Sequence, residues 1–134
     1  MQHAREKLYL AWWILRITYG TLFIIVGMDK FVNVLTNWYQ FLGEIILNLI
    51  PFSYDYFLMI FGIVQIAAGL FLFTRWFYWG IYIIFALLFL IFINLLTTPY
   101  SILVMTHDLL MIIGMIVFTQ LSLIVKPKEA YYSN

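Results

Sequence analysis

The chain has 134 residues, 66% hydrophobic and 10% charged, with a mean hydropathy of +1.01. Soluble domains are roughly 45–50% apolar and about 25% charged, so thirteen charged residues cannot cover a water-soluble domain this small. A net charge of +1 gives nucleic acid no basic surface, and the absence of Cys excludes a disulfide, a thiol redox pair, iron–sulfur ligation and a Cys nucleophile.

His3 and His107 are too few for a His-rich metal centre, so no metal-ligated or covalently attached cofactor is expected. The solvent that fits this composition is lipid. The expectation is an all-α, polytopic membrane four-helix bundle, one domain over residues 1–134.

Residues 8–27 form the first apolar block, preceded by Arg5 and Lys7. A secretory signal is excluded because Arg16 interrupts the run and no small-x-small cleavage site follows Val26. The block is retained as a span. Residues 31–50 are also apolar, yet Asn33, Asn37, Gln40, Glu44 and Asn48 recur every three or four positions, on one stripe of a helix. A lipid-facing span has no use for that stripe. An amphipathic helix lying in the interface does, with Phe31, Leu35, Trp38, Leu42, Ile45 and Leu49 toward acyl chains or the bundle, and Pro51 ends it.

Residues 56–73, 76–96 and 108–125, the last starting as early as 102, complete the set. Each block holds 18 to 21 residues, enough to cross a ~30 Å hydrocarbon core as a helix. Trp12, Trp13, Trp76, Tyr78 and Trp79 fall near one end of their blocks, as an interfacial belt does. Residues 126–134 read as a short frayed end.

Charge distribution selects between four spans and five. Four spans with a cytoplasmic N-terminus put Arg5, Lys7, Arg75, Lys126 and Lys128 inside and only Lys30 outside; five spans leave Arg5 and Lys7 inside and move the other four out. Four spans win. Both termini are then cytoplasmic, residues 31–50 lie on the outer face, and the short loops suit a bacterial inner membrane.

Arg16 is the most informative polar residue. Eight positions in from Leu8, it lies ~12 Å from the boundary, where a charge needs an inward partner or a wet cavity unless it snorkels to the headgroups. Gln65 lies eight positions from Phe73, so antiparallel packing sets it level with Arg16, and Gly20 level with Gly62. Gly20 and Gly27 are seven apart, as are Gly62 and Gly69, so each pair marks one helical face where backbones can approach closely. A packing face closed by one Arg16–Gln65 hydrogen bond explains these residues; a small polar pocket at mid-depth explains them too.

A second polar group gathers at the outer boundary. Asp29 and Lys30 follow span one, and His107 and Asp108 open span four, with Asp55 before span two. Asp55 and Asp108 suit helix N-termini, and a Lys30–Asp108 salt bridge would tie span one to span four. A proton-handling role for His107 and Asp108 requires burial. Span three has Asn94 as its one strongly polar residue and reads as a lipid-facing or subunit-facing helix.

At these residues the chain resembles a known family. The run Leu15-Arg16-x3-Gly20-x6-Gly27-x2-Lys30 is similar to the first-span signature of DoxX/DoxD-like membrane proteins. Gly62-x2-Gln65-x3-Gly69-Leu70, with Arg75 following, resembles their second span, and His107-Asp108-Leu109 the start of their fourth. The family consists of small four-helix bacterial membrane proteins, one being the small subunit of a thiosulfate:quinone oxidoreductase. The resemblance implies a membrane subunit near quinone chemistry, with Arg16 and Lys30 as the polar contacts; a quinone-reactive subunit would use Gln65 beside Arg16 to hydrogen-bond a quinone carbonyl, with Lys30 steadying the reduced form. The chain departs from the family at Gln65, commonly Glu there; an amide carries no proton as a carboxylic acid does.

Three functions compete. The first is an accessory subunit of a larger, respiratory and quinone-linked membrane complex, without catalysis of its own; its partners are lipid and other membrane subunits, or further copies of itself. The second is a quinone-interacting oxidoreductase subunit. The third, a small transporter or channel, wants a row of polar residues through the bundle, and the mid-depth set is too sparse for one within a single subunit.

Overall fold

The structure is a computed structural model that describes residues 1–98 and 102–132, with side chains over 1–98 and 102–125. Four helices are long and apolar enough to cross a membrane: α1 (Gln2–Val32), α3 (Tyr54–Phe71), α4 (Phe77–Leu95) and α5 (Ile102–Tyr132), whose apolar part is Ile102–Val125. This is a multi-pass membrane protein. The helices form a ring in which α1 packs against α3 and α5, and α4 closes it against the same two. The N-terminus shares one end with the α3–α4 turn. The opposite end carries the connection from α1 to α3.

That connection differs from the single amphipathic helix expected over residues 31–50. Phe31 and Val32 complete α1, Trp38–Phe41 is a 3₁₀ turn, and α2 is the short helix Glu44–Leu49. The cause is local. Asn33 ends α1 in the left-handed conformation (φ 51°), donating its amide to the Asp29 carbonyl at 2.7 Å. The Asp29 carboxylate then accepts the amides of Val34 and Leu35 at 2.8 and 2.9 Å, and Trp38 Nε1 at 2.7 Å. Those amides are lost to any helix over 33–37. Residues 33–43 form a strap across the end of the bundle, and the polar stripe Asn33, Asn37, Gln40, Glu44 and Asn48 is exposed.

Buried positions on α1 (Trp12, Arg16, Tyr19, Phe23, Gly27, Lys30) recur at three- and four-residue steps, the seam of a packed bundle. Trp12 is part of the core rather than an interfacial belt: it is 0% exposed and donates Nε1 to Ser122 at 2.8 Å. Tyr19 donates its hydroxyl to the Met111 carbonyl at 2.9 Å. Span three is no peripheral helix either, because Phe77, Ile81, Ile84, Leu87 and Leu88 are all buried in the core. Its hydropathy is high on every side, one face against the bundle and another toward lipid, so composition could not tell them apart. α5 carries on past Val125 to Tyr132, where the sequence suggested fraying from Lys126.

The register of α1 on α3 differs from the expected one by two turns. Gly20 packs on Gly69, and Gly27 on Gly62; a Cβ at Gly69 would come within 2.7 Å of the Gly20 carbonyl oxygen, and one at Gly27 within 2.8 Å of that of Gly62. Equal seven-residue spacing lets both pairs meet at once in antiparallel helices, whereas Gly20 opposite Gly62 leaves the other two unmatched. Backbone-to-backbone approach in lipid favours the doubly matched register.

Candidate functional site: a cavity under the strap

The register decides which polar residues meet. Arg16 is carried to the end of α3, where Nε donates to the Leu72 carbonyl at 2.6 Å and the guanidinium lies 4.8, 4.9 and 5.2 Å from the rings of Trp12, Trp13 and Phe77. The carbonyls of a helix's last turn lack intrahelical donors, so a cation there satisfies one and complements the helix dipole. Arg16 therefore does not hydrogen-bond Gln65. Leu72 lies seven residues along α3 from Gln65, about 10 Å at helical rise.

Gln65 belongs to Lys30 instead. The ammonium of Lys30 donates to Gln65 Oε1 at 2.7 Å and sits 3.7 Å from the ring centroid of Trp38 and 5.5 Å from that of Phe61. Lys30 is only 6% exposed and Gln65 4%. The expected Lys30–Asp108 salt bridge is not formed: among the described residues, the one ion pair within 4.0 Å is the exposed His3–Glu6 contact. A buried ammonium held by a neutral amide and an aromatic face is partly compensated, since a desolvated cation–π contact contributes about 2 kcal/mol.

Lys30 borders a cavity of about 120 Å³, open on one side. Trp38, Phe41, Phe57 and Phe61 supply aromatic walls, while Leu90 and Asn94 of α4 and Val104 of α5 close the far side. The polar edges of Asn94 are already taken. Its Oδ1 accepts the Gly43 amide at 2.7 Å and its Nδ2 donates to the Phe41 carbonyl, so Asn94 holds the strap down. Tyr39 reaches from the strap to the Asp55 carboxylate in α3. Lys30 is thus the one charged group on the cavity wall among the described residues.

Asp29, His107 and Asp108 do not assemble into one polar cluster. Asp29 serves the strap, His107 is exposed, and Asp108 is buried inside the bundle; no hydrogen bond or ion pair joins them among the described residues. Sequence reasoning missed the roles of Trp38 and Asn94. A lone Asn in an otherwise apolar span was the available signal, because an amide in lipid must find backbone partners. No protein-family model, curated protein or solved structure matches this chain.

Proposed function

We propose that this protein is an accessory membrane subunit that binds the head of a quinone-type amphiphile under the strap, with Lys30 donating to a ring oxygen. The observation that carries the reading is a buried ammonium on the wall of an aromatic cavity, with no carboxylate within 4.0 Å among the described residues. At about 120 Å³ the cavity is smaller than the ~150 Å³ apolar cavity that accepts benzene, so a ring enters it only in part, with its substituents and tail leaving by the open side. The resemblance to DoxX/DoxD-like proteins supports the same ligand class, and the distribution of Lys and Arg favours a strap end on the outer face of a bacterial inner membrane. Electron transfer would fall to a partner, since this chain brings no thiol, and His3 and His107 stand at opposite ends of the bundle. Gln65 orients the Lys30 head and carries no proton.

A conduction path is not the reading favoured here, because Phe23, Ile84, Met115 and Phe118 fill the seam between the two polar ends. The test is equilibrium binding of decyl-ubiquinone to the full chain in lipid nanodiscs. Lys30→Met should weaken binding about tenfold or more, the scale of a hydrogen bond from a charged donor. Equal affinity in the variant would remove the proposal.

A further inference from the structure

The cavity is roofed from the strap side. Trp38, Phe41 and Leu42 of the strap and Ile46 of α2 line it, each buried or half-buried, while the polar stripe from Asn33 to Asn48 faces away and is exposed. Asn94, Asp29 and Tyr39 fasten that roof. The strap thus turns an apolar inner surface to the cavity and a polar outer surface to water.

The opening lies lower, between α3 and α4. Of the described wall residues Leu90 alone is exposed, at 42%. It stands one and a half turns before Leu95 ends α4, so about 7.5 Å inside the span and among acyl chains. Near the α3–α4 turn the two helices approach closely: a Cβ on Gly80 would lie 3.0 Å from the Ala68 carbonyl oxygen. Leu87, two turns on from Gly80, shares its face, and Leu90 stands at the edge of that face. On α3, Phe57 precedes Ala68 by three turns and so also faces α4. Glycine and alanine close the seam at one end; at the other, half-buried Phe57 and exposed Leu90 flank the way into the cavity.

We infer that the ligand's tail leaves the bundle through this gap, between Phe57 and Leu90, and lies among the acyl chains, so that the site takes an amphiphile dissolved in the bilayer. This rests on the proposed function. The cavity holds only part of a ring, so the tail must lie outside it. At Leu90 an alkyl tail meets lipid, whereas an exit through the strap sets its methylenes against the exposed polar stripe and water. Leu90 is thereby a specificity-determining residue: it admits a slim apolar tail and rejects one that is bulky or charged next to the ring.

The experiment photolyses decyl-ubiquinone carrying a diazirine in its tail, close to the ring, with the full chain in lipid nanodiscs, and maps the label by mass spectrometry. Label that unmodified decyl-ubiquinone competes away should fall on residues 57–64 of α3 and 86–93 of α4. Competed label on the strap, residues 33–43, or no competed label at all, overturns the inference. A second arm narrows the gap. Leu90→Trp should weaken decyl-ubiquinone about tenfold or more, and tail-less ubiquinone-0 by at least about fivefold less than that. Equal losses for the two ligands, or none, overturn the inference as well. If Lys30→Met abolishes a competed label that sits on the strap, the cavity reading stands and only the exit falls. If Lys30→Met changes neither binding nor label, both fall together.

Discussion

The two ends of the bundle each bury a cation from α1, and they use it differently. Arg16 points a planar guanidinium at the carbonyl that ends α3 and is surrounded by three aromatic rings. Lys30 has an amide oxygen on one side, a tryptophan face on another and the cavity beside it. Arginine's fixed fork suits a permanent rivet between helices, whereas a lysine head is compact and its three donors can re-aim toward a ligand. The lesson is that depth and charge do not identify a functional cation. What distinguishes the two is whether the protein's own groups surround the charge.

Breaking the frame that separates the two ends should have the largest effect. Gly62→Leu drives a branched side chain into the Gly27 backbone, and even a lone Cβ there would sit 2.8 Å from the Gly27 carbonyl oxygen. Overpacking of this kind costs about 1–3 kcal/mol or more, and loss of the close α1–α3 approach should appear as a large drop in unfolding temperature in bicelles.

Arg16→Leu comes next. It strips a charged donor from a buried carbonyl and should destabilise by about 1–3 kcal/mol, whereas Lys30→Met should move stability by less than that and act mainly on ligand binding. Reversal of this order would show that the rivet and the ligand contact have been exchanged.

The third test addresses the strap alone. Asn94→Leu leaves the Gly43 amide and the Phe41 carbonyl without their partners, at about 1–2 kcal/mol together when water can replace part of the loss. Amide hydrogen exchange over residues 38–43 should then rise roughly five- to thirtyfold, with exchange in α1 near Arg16 unchanged. Unchanged exchange in the strap would show that Asp29 and Tyr39 hold it without Asn94.

Much of the frame was readable in advance, and particular residues show where reading stopped. The four spans follow from blocks of 18 to 21 apolar residues, and rejecting a fifth follows from the polar stripe between 33 and 48. The same stripe suggested one continuous helix, because periodicity records which residues face water and says nothing of what their amides bond. Asp29 took two of those amides, and a carboxylate's choice between backbone and side-chain partners is not encoded in spacing. The glycine heptads were visible, but aligning the spans from assumed boundaries put Gly20 opposite Gly62. Matching both glycine pairs at once gives the observed register without any boundary.

Composition and periodicity by themselves determined that this chain lives in lipid, crosses it with four helices and carries a polar segment between the first two. All three are properties of transfer from water, which depend on each residue and its near neighbours. Which cation meets which partner was decided only in the tertiary structure. A slip of two turns in an antiparallel pair moves every cross-helix contact while leaving each helix's hydropathy unchanged, and close backbone packing at two glycine pairs, a contact property of both helices together, selects among the slips.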